Sequence, residues 1–293
     1  MNWSLTCYFC LLLLCMCILL LSMYLVFKKQ PHLEFIGNFL IAQMIFGILI
    51  YVSSALIVCF SFFIHEDKKL NPVVVQFSGV LNNTGILILP YTVAFRYFYY
   101  FWVVVLDYHV NKVYWLSFCA LIWVLVLGLG ISQALLSLFH LRDNFQSTSP
   151  FFLQVPLVRA NTLTYITIIL VAGTAHLFFS GLILFKFITS SSDNSRNFSS
   201  FPLAPTNKKV SKTAIILKFV PVTIVYLFTH VPALVMTLIE LISGRPSNLY
   251  MQWANTCSYA VASLLAPILI IFTNRSMLIS FKSTMLALVS KFY

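Results

Sequence analysis

The residues best placed to do chemistry in this chain lie in one stretch, Asn82-Asn83-Thr84-Gly85-Ile86-Leu87-Ile88-Leu89-Pro90-Tyr91-Thr92-Val93-Ala94-Phe95-Arg96-Tyr97. Asn82, Asn83 and Thr84 are hydrogen-bonding groups in the middle of a long apolar run. Arg96 is a full charge at its far end, set between Phe95 and Tyr97. Polar groups in hydrocarbon carry a cost unless they face a protein interior or water. They therefore suggest recognition and charge-governed switching: a pocket at one level and a switch below it. Bond-making chemistry finds little support. The acidic clusters lie between the apolar runs, and there is no intramembrane Asp/His pairing, HExxH motif or phosphate loop. We read the chain as no enzyme, with no cofactor and no metal site. Cys7-x-x-Cys10 reads as two small apolar side chains, since nearly all seven cysteines fall inside apolar runs.

The elements that position these groups follow from composition. The chain has 293 residues, 60% of them hydrophobic and only 9% charged, against about 25% charged in an average soluble domain. Charge-free intervals run 1–27, 35–65, 70–95, 113–141, 160–185, 219–239 and 246–274. Each exceeds the ~20 residues that a helix needs to cross the hydrocarbon core. The fold class expected is an all-α membrane protein, a seven-transmembrane helix bundle filling residues 1–293 as one domain. Of the 18 Lys and Arg, placing the N-terminus outside puts thirteen on the cytoplasmic side and five (Lys68, Lys69, Arg142, Arg159, Arg245) outside, as the positive-inside rule requires. The net charge of +11 then reads as contact with anionic membrane lipid, and no nucleic acid is needed to explain it. The first apolar run lacks a basic leading region and is followed by Lys28-Lys29, so it reads as an uncleaved helix.

Helices are expected over about 5–27, 34–64, 72–101, 113–138, 162–188, 212–242 and 249–273. Pro90 should kink the third, Pro221 and Pro232 lie in the sixth, and Pro267 lies in the seventh. Residues 189–211 form a serine-rich polar connection with Pro202 and Pro205. Beyond it, Met277, Leu278, Phe281, Met285, Leu288, Val289 and Phe292 recur at helical spacing, an amphipathic helix over 275–292 on the inner leaflet. Asn2-Trp3-Ser4 is a glycosylation sequon at the outer end, with Asn2 as acceptor.

With these elements in place the chain resembles the rhodopsin-like (class A) G-protein-coupled receptors, in a degenerate form. Asn38-Phe39-Leu40-Ile41-Ala42-Gln43 is similar to the family's Asn-Leu-x-x-Ala-Asp, with Gln43 in place of the acid. Phe95-Arg96-Tyr97 resembles Asp-Arg-Tyr, and Trp123 falls where the family's helix 4 tryptophan does. Thr229-His230-Val231-Pro232 stands for Cys-Trp-x-Pro, and Ala266-Pro267-Ile268-Leu269-Ile270 for Asn-Pro-x-x-Tyr. The order and spacing of these motifs carry the resemblance. The helix 1 asparagine, the helix 5 proline and the cysteine pair of helix 3 and the second outer loop are missing.

The resemblance implies a multi-pass plasma-membrane receptor, chemosensory (odorant-like) or orphan, coupling a small ligand outside to a heterotrimeric G protein inside. Its ligand-binding positions would be Ser78, Gly79, Asn82, Asn83, His230, Ala233, Leu234, Thr237, Gln252, Thr256 and Tyr259. The alternative for Asn82 and Asn83 is interhelical hydrogen bonding. Ser78 stands where amine receptors hold an acid, so a small, mostly apolar ligand with a few hydrogen-bonding groups is expected. The switch would comprise Arg96, Tyr97, Lys212, Pro232 and Pro267. Phe95 and Lys212 replace the acids that hold the family's arginine, which implies a weakened closed state. At the family's sodium site stand Gln43, Gly85, Ala262 and Ala266, with no anionic ligand. A bitter-taste-type receptor is the nearer alternative, through residues 264–278; a small-solute transporter or channel is the further one, without visible inverted repeats.

Overall fold

The computed structural model describes residues 3–28, 35–64, 72–106, 111–141, 156–189, 212–243, 249–273 and 275–292. These form α1 (Trp3–Lys28), α2 (Phe35–Ile64), α3 (Pro72–Tyr100), α4 (Lys112–Leu141), α5 (Pro156–Thr189), α6 (Lys212–Ser243), α7 (Leu249–Thr273) and α8 (Arg275–Phe292). Among the described residues, five segments are long and apolar enough to cross a membrane: Thr6–Phe27, Phe39–Ser61, Phe77–Val103, Lys112–Ser132 and Ile166–Lys186. The apolar stretches of α6 and α7, Thr223–Ile239 and Cys257–Phe272, are shorter. Lys212 and Lys218 precede the first of them, Glu240 follows it, and Gln252, Asn255 and Thr256 precede the second. The chain is an all-α protein with several helices able to span a membrane. Apolar side chains on the outside agree: Val124, Leu125, Phe178, Phe185 and Phe228 are all exposed, as lipid-facing surfaces are.

Local chemistry sets the ends. α3 and α5 begin on Pro72 and Pro156, a first-turn position where the missing N–H costs nothing. That is why α5 starts ahead of the expected 162. The Asn111 side-chain oxygen accepts from the Val113 N–H at 3.1 Å and caps α4. α3 runs through Pro90 and passes into a π-helical turn, Phe101–Val105.

α3 is the central helix, packed most closely on α2 and then on α4, α5 and, lightly, α6. α1 lies against α2 and α7, α6 against α7 and α5, and α8 against α7 and α1. The α2–α3 seam is close because Gly85 presents no side chain. A Cβ there would stand 2.7 Å from the Tyr51 nitrogen and 2.9 Å from the Gly47 oxygen. Without a hydrophobic force between helices in lipid, such close approach is what dispersion attraction needs. Around the last turns of α3, Phe95, Phe98, Tyr99 and Phe101 pack with Trp115 of α4 and Phe179 of α5.

Candidate functional site

Arg96 lies on the last turns of α3 and is buried, 8% exposed. Its guanidinium carbon stands 5.6 Å from the centre of the Tyr100 ring, a cation–π contact one turn on. Its Nε has no hydrogen-bond partner among the described residues. No acidic side chain is among the described ones: six of the seven acids fall outside the described residues, and so does the side chain of Glu240. Phe95 does not stand in for an acid next to Arg96. It turns towards α4, with its ring 4.8 Å from Phe118 and 4.9 Å from Trp115.

Tyr97 points the other way, into the bundle. Its hydroxyl lies 3.3 Å from the Thr223 Oγ1 of α6, and Thr223 is also 3.0 Å from the His176 Nε2 of α5. The His176 ring stands edge-on to Tyr97, centroids 4.2 Å apart. From there a line of aromatic and polar groups continues through Tyr226, 5.5 Å from His176, to His230, 4.8 Å beyond. The Tyr226 hydroxyl donates to the Ile169 carbonyl of α5 at 3.0 Å. Gly173 makes this possible, because a Cβ there would lie 2.7 Å from that hydroxyl. His230 Nδ1 and the Tyr259 hydroxyl of α7 are 3.5 Å apart, and Tyr259 packs its ring 5.1 Å from Tyr51 of α2. Tyr51 in turn shares a hydrogen bond with Tyr8 of α1. One buried relay thus touches α1, α2, α3, α5, α6 and α7. Within it, His176 Nδ1 and His230 Nε2 have no hydrogen-bond partner among the described residues.

The sequence-chosen positions divide. His230 and Tyr259 are brought together, both buried. Ser78 is buried, while Asn82 and Asn83 are half-buried on α3. Thr237 is buried, but its hydroxyl donates to the Ala233 carbonyl of its own helix at 2.7 Å. Its hydroxyl proton is thus spent within α6. Pro232 and Pro267 lie inside α6 and α7. Asn2 lies outside the described residues, and so do the side chains of Lys212, Gln252 and Thr256.

A small cavity of about 10 Å³, room for roughly one water, sits between α2, α3 and α7. Ile48, Tyr51, Gly85, Ile86, Leu89, Tyr259, Ala262 and Ser263 line it. Gly85 and Ala262, two of the four positions that the resemblance matched to a sodium site, line it. Gln43 and Ala266 are not in the lining, and Gln43 instead hydrogen-bonds the Cys119 thiol of α4. Ser263 donates back to the Tyr259 carbonyl. No cluster of three or more His, Cys, Asp or Glu that could hold a metal occurs among the described residues.

Sequence reasoning missed His176, Thr223 and Tyr226. Two signals were present: a histidine inside an apolar helix is a functional candidate by default, and 223, 226 and 230 share one helical face. No family model and no curated protein matches the chain.

Proposed function

We propose that the chain is a seven-helix receptor of the plasma membrane, similar to the rhodopsin-like G-protein-coupled receptors. α1–α7 cross the bilayer with the N-terminus outside, and α8 lies along the inner leaflet. A small, mostly apolar ligand binds between the outer halves of α3, α6 and α7, and a heterotrimeric G protein is activated at the inner ends.

One observation carries this reading. Arg96 is a buried cation on the central helix, its Nε without a partner among the described residues, while the next residue, Tyr97, is hydrogen-bonded across to α6. A cation kept in an apolar bundle is costly, and an arrangement with spare donor capacity suits a group whose partner arrives later. The relay through His230 and Tyr259 supplies a packed route from the outer halves of α6 and α7 to that point. The olfactory assignment rests on the resemblance alone.

The test is expression in cells with readouts for each G-protein class, basal and against panels of odorants, lipids and steroids. Receptor present at the surface should give basal output, and Arg96→Ala should abolish it at unchanged surface level. Silence of the well-expressed wild type through every class, basal and stimulated, refutes the reading.

A further inference from the structure

We propose that Tyr97, Thr223 and His176 form a neutral hydrogen-bonded clamp that holds the N-terminal half of α6 against α3 and α5, with Thr223 as its node. Thr223 reaches out to two other helices, 3.3 Å to Tyr97 and 3.0 Å to His176. Both of those side chains are 1% exposed. The two rings pack perpendicular to each other, centroids 4.2 Å apart.

The protons can be placed. His176 Nδ1 has no partner, and an orphaned lone pair is tolerated better than an orphaned N–H. Nε2 therefore carries the proton and donates to Thr223 Oγ1, and the Thr223 and Tyr97 hydroxyls share the second hydrogen bond. No charge takes part, so salt should not weaken the clamp as it weakens an exposed ion pair. Tyr226, one turn on, ties α6 to α5 separately through the Ile169 carbonyl. Loss of Thr223 should therefore free α6 from α3 first, with the α5 tether intact. Only the signalling consequence rests on the receptor reading.

The experiment is hydrogen–deuterium exchange of the purified full chain in lipid nanodiscs, following the amides of 212–226 with those of α1 and α2 as internal reference. Thr223→Val, which keeps shape and removes the hydroxyl, should speed exchange there severalfold. His176→Phe should do the same, Thr223→Ser should stay near wild type, and raising salt should leave the wild type unchanged. Exchange in Thr223→Val equal to wild type, or Thr223→Ser behaving like the valine variant, overturns the clamp. If the valine variant does not accumulate, His176→Phe against Thr223→Ser decides in the same way. Basal G-protein output measured in parallel should rise severalfold in the variants with fast exchange. Fast exchange with no output in any variant keeps the clamp and removes the receptor reading.

Discussion

Phe95→Asp would give Arg96 the neighbouring acid that rhodopsin-like receptors have, yet the surroundings of Phe95 predict a net loss. The residue is 5% exposed, with ring contacts to Phe118 at 4.8 Å, Trp115 at 4.9 Å and Phe98 at 6.3 Å. Three aromatic contacts at about 0.5–1.5 kcal/mol each come to about 2–4 kcal/mol. A carboxylate within a membrane helix adds about 2 kcal/mol near its end. A new pair with Arg96 returns about 1 kcal/mol at a partly wet site. The balance is a destabilisation of about 3–5 kcal/mol, or about a hundredfold or more in the folded-to-unfolded ratio. Thermal denaturation of the purified chain in detergent, with surface expression measured beside it, reads this directly. Phe95→Leu, which gives up the ring contacts without adding charge, should fall between the two. An aspartate variant as stable as wild type would mean that the ion pair outweighs the aromatic packing, and the reasoning would fail. Phe95→Asp is consequently a poor reporter of the switch, because lost folding would mimic lost signalling.

Lys212→Glu, at the first residue of α6, is the cleaner charge variant and should lower basal signalling at equal surface expression; a rise would contradict the role assigned to Arg96. Gly85→Ala and Gly47→Ala should both be costly, because the new methyl meets backbone of α2 in the first case and the Cγ2 of the buried, β-branched Ile88 in the second. Surface expression and melting temperature should fall in both, with a loss of about 2 kcal/mol or more for Gly85→Ala, and wild-type stability in both would refute the α2–α3 seam. Ligand affinity, once a ligand is found, should not respond to sodium over potassium at equal ionic strength. The α2–α3–α7 cavity offers hydroxyls and apolar surface but no carboxylate, and a specific sodium effect would refute this.

The helical, apolar character of the chain was legible because it is a local matter. A run of some twenty apolar residues in hydrocarbon has one economical way to pair its backbone groups, and that is a helix. The charge at Arg96, the flanking Phe95 and Tyr97 and the apolar period of α8 were visible on the same terms. What only the tertiary structure decided is which polar groups meet. Thr237 was chosen for a pocket, yet it turns back on Ala233. Gln43 stands at the position matched to the family's helix 2 acid, and the structure bonds it to Cys119 of α4. Tyr97 and Thr223, 126 positions apart, bond each other directly, and Thr223 also meets His176, which the sequence did not single out. The reason is rotational. Helices that are apolar nearly all round carry no strong period to say which face turns inward. That choice is made by close contacts between distant segments, such as the bare backbone of Gly85 against Tyr51 and the space Gly173 leaves for Tyr226.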